Sequence, residues 1–178
     1  MISLDGYFTD SNGGIDWHTV DDEFNRFAIE QLESCDTILF GRVTYKMFED
    51  YWPDAAKDPQ TGPDDLKIAS YINDAIKIVF SKTLESVTWQ NSQLKAKIST
   101  DEIRKLKAAT GKNIVIFGSG TIVQQLTNLG LIDEYRLMIS PIILGSGKAL
   151  FNNVHKMPNL KLLEARSFAN GNVLLRYS

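Results

Sequence analysis

The sequence predicts an α/β fold of three layers: a central, mostly parallel sheet with helices on both faces and an antiparallel hairpin at its C-terminal end. Three observations carry this. The runs at residues 37–40, 76–80 and 114–117 are apolar except for Thr37 and Lys77 rather than alternating, as strands buried on both faces are. Segments with helical spacing separate them. The chain then closes with runs at 161–168 and 173–177 around Asn170-Gly171, the pattern of a hairpin.

The elements follow in order. Residues 2–8 begin as a short strand, and Asp10-Ser11-Asn12-Gly13-Gly14 is a dense turn cluster. A helix fits 21–33, where Phe24, Phe27, Ala28, Ile29 and Leu32 share a broad apolar face. Its acidic start, Asp21-Asp22-Glu23, suits the positive end of a helix dipole. Residues 37–40 form a buried strand ending at Gly41, followed by a short helix carrying Tyr45, Met47 and Phe48. Residues 53–63 hold three prolines and read as a polar loop, and 64–74 as a helix. A strand at 76–80, a short one at 87–89 and a helix at 101–109 precede the strand that starts at Ile114 and its helix. A further strand covers 134–143. No internal repeat, low-complexity tract or linker interrupts the chain, so one domain over residues 1–178 is expected.

Composition narrows the function. With 178 residues, 43% hydrophobic and 23% charged, the chain can bury most of its apolar surface in a single core. A net charge of −3 offers no basic face for nucleic acid. The single Cys35 excludes an intrachain disulfide and a cysteine-rich metal site, and His18 and His155 lack metal-ligand spacing, so no metal is expected. No signal peptide and no apolar run of about 18 residues is present, which predicts a cytoplasmic protein without a membrane partner.

The most informative stretch is Ile114-Val115-Ile116-Phe117-Gly118-Ser119-Gly120-Thr121, which passes from an apolar strand through two glycines directly into a helix. Glycines let the backbone approach an anion, and the first helical turn offers it unpaired N–H groups and the positive dipole end. A nucleotide ligand fits this pattern; a tight strand-to-helix turn without a ligand would use the same glycines. The third glycine of the dinucleotide fingerprint is missing. Gly145-Ser146-Gly147-Lys148-Ala149 is not a P-loop, because Ile142 stands where its first glycine belongs and Ala149 where a magnesium-binding hydroxyl is needed. In open α/β sheets ligands bind beyond the carboxyl ends of strands, and three such ends repeat one chemistry. They read Phe40-Gly41-Arg42-Val43-Thr44, Phe80-Ser81-Lys82-Thr83 and Phe117-Gly118-Ser119-Gly120-Thr121. Arg42 and Lys82 would supply cations, and Thr44, Ser81, Thr83 and Thr121 donors, a set suited to a dinucleotide with an additional phosphate.

Ser3-Leu4-Asp5-Gly6, Gly41-Arg42-Val43-Thr44-Tyr45, Ser81-Lys82-Thr83-Leu84, Gly118-Ser119-Gly120-Thr121 and Pro141-Ile142-Ile143-Leu144-Gly145-Ser146-Gly147 stand in the order seen in the dihydrofolate-reductase-like superfamily. Over nearly its whole length the chain resembles that superfamily, and its first and last motifs are most similar to the reductase domain of bacterial riboflavin biosynthesis. The resemblance implies an NADPH-dependent reductase of a small planar heterocycle, similar to 5-amino-6-(5-phosphoribosylamino)uracil reductase, and assembly as a homodimer. It implies that Gly41, Arg42 and Thr44 meet the cofactor phosphates, that Ser81, Lys82 and Thr83 form the segment around the adenosine ribose and its 2′-phosphate, and that Gly118, Ser119, Gly120 and Thr121 form the pyrophosphate loop with Phe117 beside the nicotinamide. Asp5 would lie on the substrate side as the candidate catalytic residue; as an Asp-Gly pair it also fits a plain turn.

Two departures qualify the resemblance. Folate reductase uses a carboxylate on its first helix, and counting back about four turns from Gly41 places Asn25 there. An amide cannot supply an ionised partner to a pterin, which disfavours folate reduction. Only Met1-Ile2 precede Ser3, so the first strand is expected to be short. The resemblance places Trp17, Phe24, Asn25, Tyr51, Trp52 and Leu144, with Asp5, around the substrate pocket, where a planar heterocycle would stack on the aromatic rings. Two other functions share these features: a dihydrofolate reductase or another pterin or xenobiotic reductase, and a non-catalytic, dimeric NADP-binding module.

Overall fold

Sixteen elements alternate along the chain in the computed structural model, which describes residues 1–178. They are β1 (Ile2–Ser3), β2 (Tyr7–Thr9), α1 (Asp22–Glu33), β3 (Cys35–Gly41), α2 (Arg42–Glu49), α3 (Trp52–Ala55), α4 (Pro63–Asp74), β4 (Ile76–Phe80), β5 (Ser92–Lys95), α5 (Thr100–Ala108), β6 (Asn113–Val115), α6 (Gly120–Leu129), β7 (Tyr135–Ser140), β8 (Lys148–Ala149), β9 (Leu162–Ser167) and β10 (Val173–Tyr177). The chain divides into two units, residues 24–122 and residues 1–23 with 123–178.

In the unit of residues 24–122, the strands lie in the order β5-β4-β3-β6 and every pairing is parallel. Ile38, Phe40 and Val79 are buried because the inner strands are covered on both faces, which is why these strands read as largely apolar runs. Ile29 and Leu32 of α1, Tyr45 of α2 and Ile68 and Ile72 of α4 complete this core. Within it lies a charge: Lys77 of β4 has no exposed surface. Its ammonium donates to the carbonyls of Ile72, Asn73 and Ala75 at 2.9, 2.9 and 2.8 Å and sits 4.5 Å from the Trp89 ring. Those carbonyls belong to the end of α4, whose last turn has no intrahelical donors, so the lysine acts as an internal cap.

The unit of residues 1–23 and 123–178 carries the mixed sheet β1-β7-β10-β9, in which β1 runs parallel to β7 and the hairpin β9–β10 is antiparallel. The hairpin turns at Asn170-Gly171 as the sequence predicts, with Gly171 at φ +87°. Ile2, Leu126, Met138, Leu150, Phe168 and Leu174 are buried here.

Four sequence expectations change. Residues 2–8 form two strands rather than one: β1 pairs with β7 and β2 with β8, separated by a turn at Gly6 (φ +87°). The loop expected at 53–63 opens with α3, since Pro53 occupies the first helical turn, where its missing N–H costs nothing. Residues 87–89 are not a strand; Trp89 is buried, and the strand is the polar Ser92–Lys95. The strand at 134–143 ends at Ser140, where Ile142 N donates to the Ser140 carbonyl across Pro141. No helix is long and apolar enough to cross a membrane.

Candidate functional site

Three neighbouring strands of the 24–122 unit end at the same side of their sheet. Gly41 of β3 is in register with Phe80 of β4, and Ile38 with Val115 of β6. Beyond these ends the chain turns into α2, into the 81–84 turn and, through Phe117-Gly118-Ser119, into α6. The turn to α6 requires two successive left-handed residues, Gly118 at φ +71° and Ser119 at φ +57°. That conformation brings the Ser119 hydroxyl to the backbone of β3, where Gly41 N donates to Ser119 Oγ at 2.8 Å. A Cβ on Gly41 would lie 3.4 Å from Ser119 Oγ and 3.5 Å from Ile122 Cγ1, ordinary van der Waals distances, so the packing here does not by itself require a glycine.

The result is two helix amino ends side by side. Gly41 precedes α2 in extended conformation and gives it no side-chain cap, so the first-turn amides of Arg42, Val43 and Thr44 keep their donor capacity for an anion. Gly118 is exposed and open, with only Thr44 Cγ2 within 4.0 Å of the position a Cβ would take. Arg42, Lys82, Thr83 and Thr121 are exposed, Thr44 and Phe117 half-buried, and Ser119 and Gly120 buried. Ser81 closes the turn that presents Lys82, its Oγ accepting from Thr83 N at 3.1 Å and Leu84 N at 3.0 Å. The eleven cofactor candidates of the sequence thus gather at one end of one sheet, with two helix dipoles and two cations.

The other candidates fall in two places. In the 1–23/123–178 unit, exposed Asp5 accepts three hydrogen bonds: Ser3 Oγ at 2.6 Å and Leu144 N at 3.2 Å on Oδ1, and Gly145 N at 2.8 Å on Oδ2. The Ser3 hydroxyl first, then the two amides, outweigh desolvation and hold the carboxyl below its usual range. Asp5 is therefore an ionised anchor that ties the Ser3–Gly6 turn to the 144–145 loop. Trp17 meets His18 edge-on at 4.4 Å. In the 24–122 unit, Phe24 and Asn25 are half-buried at the start of α1, and Phe24 lies 6.4 Å from Phe27. Tyr51 is exposed, whereas Trp52 packs against Phe48 and its carbonyl accepts from Asn73 Nδ2.

A cavity of about 630 Å³ lies at the opposite, amino end of β4, lined by Glu49, Pro53, Leu66, Asn73 and Trp89 among others, and none of the sequence candidates borders it. Burial pushes the Glu49 carboxyl up, but hydrogen bonds from Lys46, Tyr45 and Thr88 outweigh it and hold the group at about 2. Neither this network nor Lys77 is among the residues that the sequence motifs single out. The spacing of Tyr45 and Glu49, one helical turn apart, is the one signal that points to it.

A family model described as the RibD C-terminal domain matches residues 1–174. The uncharacterized protein YyaP of Bacillus subtilis strain 168 is 35% identical over 176 residues, covering 99% of this chain and 90% of its own. Among solved structures, a candidate riboflavin biosynthesis protein from Shewanella sp. PV-4 matches with a TM-score of 0.72 at 24% identity, over 99% of this chain and 93% of that one. The Thermotoga maritima diaminohydroxyphosphoribosylaminopyrimidine deaminase/5-amino-6-(5-phosphoribosylamino)uracil reductase matches with a TM-score of 0.65 at 18% identity, over 99% of this chain and 54% of that one. The fold is thus the α/β, dihydrofolate-reductase-like one that the ordered motifs imply.

Proposed function

From the premise that this chain belongs to the RibD C-terminal domain family, a riboflavin-pathway-like reductase family, we propose that it is an NADPH-dependent reductase of a small planar heterocycle related to 5-amino-6-(5-phosphoribosylamino)uracil. The observation that carries the reading is the pairing of two helix amino ends through the Gly41–Ser119 hydrogen bond, beside exposed Arg42 and Lys82. The open backbone at Gly118 and the uncapped start of α2 fit a pyrophosphate.

NADPH, when bound, supplies the hydride, which is the hard part of the chemistry. The protein's share is alignment and exclusion of water. The amides of Arg42, Val43 and Thr44 and the backbone of Gly118 and Gly120 hold the pyrophosphate, Arg42 and Lys82 neutralise the 2′-phosphate, and Ser81 and Thr83 keep Lys82 presented. Phe117 packs beside the nicotinamide. Asp5 orders the 144–145 loop on the substrate side.

Calorimetry with NADPH and NADH tests the cofactor. Each charge-assisted contact is worth about 1.5–3 kcal/mol, so NADPH is expected to bind at least about tenfold more tightly, and Arg42→Ala with Lys82→Ala to erase the difference. Equal affinities in the unaltered protein would overturn the assignment. Oxidation of NADPH with a panel of pyrimidine intermediates, pterins and folates tests the substrate. Asn25 is half-buried, and the sequence count that puts it at the position of folate reductase's acid favours a heterocycle other than a pterin. Binding of NADPH without turnover on any of the panel would favour the non-catalytic module instead.

We also propose a homodimer. Strand β9 is a sheet edge that exposes Leu162 and Leu163, and an apolar edge is normally paired or covered. Light scattering is expected to give twice the 20.0 kDa chain mass; a monomer at every accessible concentration would refute the dimer.

A further inference from the structure

In the loop Gly118-Ser119-Gly120, the middle residue is the conformationally expensive one. Ser119 sits at φ +57°, a region that is strained for an L-residue and nearly free for a glycine. Three glycines in a row would form the same turn with less strain. Ser119 is nevertheless buried, and its hydroxyl accepts the amide of Gly41, 78 residues earlier in the chain. The bond joins the residue immediately before α2 to the residue immediately before α6. It also takes the Gly41 N–H out of the set of donors that a ligand could use. The neighbouring contacts share this geometry: Ile122 N donates to the Ser119 carbonyl at 2.7 Å as α6 begins, and the Ile122 side chain approaches Gly41.

We propose that Ser119 is a positioning residue: by accepting the Gly41 amide, its hydroxyl clamps the start of α6 to the start of α2 and so fixes the angle at which the two sets of first-turn amides face one pyrophosphate. This rests on the cofactor reading above and assigns Ser119 a role other than contact with the cofactor. The strain at Ser119 is offset by the hydrogen bond, and the glycines on either side leave the backbone free to follow wherever the clamp sets it.

Three variants separate the clamp from a structural role. Ser119→Gly removes the acceptor and the strain together, so it folds with unchanged or higher thermal stability. Ser119→Ala removes the acceptor and keeps the strain. Ser119→Asn keeps an acceptor oxygen on a residue that tolerates the left-handed region. Amide hydrogen exchange of Gly41, followed by NMR without ligand, is expected to accelerate about tenfold in the Gly and Ala variants, the value of one hydrogen bond, and to recover in part in the Asn variant. The dissociation constant for NADPH is expected to rise by about the same factor in Ser119→Gly and Ser119→Ala and to fall back in Ser119→Asn. A Ser119→Gly protein with the original Gly41 protection and NADPH affinity overturns the proposal, as does a Ser119→Asn protein no better than Ser119→Gly in both measurements. Failure of the unaltered protein to bind NADPH would instead strike the cofactor reading, and Gly41 exchange would still decide whether the clamp exists.

Discussion

Gly145 donates its backbone N–H to Asp5 Oδ2 at 2.8 Å, while Leu144 N and the Ser3 hydroxyl occupy Oδ1. An Asp-Gly pair in the Ser3–Gly6 motif invites the role of proton donor in the proposed reductase. A carboxylate held ionised by three donors is poorly suited to that role, because a general acid must carry its proton near the working pH.

Asp5→Asn is accordingly expected to lower the melting temperature, since an amide offers one acceptor oxygen where two are in use. Its kcat should fall by less than about tenfold, whereas loss of a general acid costs about a hundredfold or more. The acid limb of the pH–rate profile should keep its midpoint. A folded Asp5→Asn enzyme that loses turnover and that limb together would identify Asp5 as the acid.

The glycines after β7 are separable by one substitution each. A Cβ on Gly147 would lie 2.1 Å from the Thr9 carbonyl oxygen and 3.1 Å from two further backbone carbons, at a φ of +144°. Neither backbone nor rotamer can yield there without breaking the β2–β8 pairing, so Gly147→Ala is expected to cost about 3 kcal/mol or more in urea unfolding. Gly145, at φ +71° with nothing within 4 Å, needs only the conformational freedom, and Gly145→Ala should cost about 1 kcal/mol. Equal losses would show that the contact at Gly147 is relieved by movement.

Why some of this was legible in the sequence and some not is a matter of which forces are local. Residues 76–80 read as a strand because Ile78, Val79 and Phe80 are an apolar run buried in the sheet, and the gathering of Gly41, Ser81 and Gly118 follows from parallel strands that run the same way. Ser92–Lys95 is an edge strand with a polar sequence and no comparable signal, while the apolar residues just before it include Trp89, which serves the core. Pro53 opens a helix and reads as a breaker because position within the first turn decides which it is. The partners of Lys77 and Ser119 could not be read at all: Lys77 bonds carbonyls two to five residues earlier and Ser119 the amide of Gly41, 78 residues away, and backbone groups leave no trace in residue identity.

Lys77 supplies the next test. Its ammonium satisfies three carbonyls at the end of α4, and removing a donor from buried acceptors costs more than the bond itself contributed. Burial pushes this ammonium down to about 8 against the pull of Asp74, so part of the loss is offset when the charge is removed. Lys77→Met, which keeps the stem, is expected to destabilise the protein by about 2 kcal/mol and to shift the emission of Trp89, whose ring lies 4.5 Å from the ammonium. A variant as stable as the original would show that the carbonyls find water or another donor.

The pH dependence of stability has a sign fixed by His18. Burial, and after it the positive charge of the nearby amino terminus, push its imidazole down from 6.5 to about 4. Between these values the unfolded chain binds a proton that the folded chain refuses, so the part of the stability linked to His18 is complete above about 6.5 and falls as pH drops toward about 4. Glu49, held at about 2 against an ordinary 4.5, adds a second loss in the lower window, where its hydrogen-bonded carboxylate must protonate. His18→Phe keeps an aromatic ring against Trp17, 4.4 Å away, but cannot take up a proton. Urea midpoints measured from pH 7 to pH 3 should therefore be nearly flat between 6.5 and 4.5 for His18→Phe and sloping for the unaltered protein, with both falling below 4.5. Parallel curves across the upper window would mean that His18 becomes protonated within the folded protein without penalty.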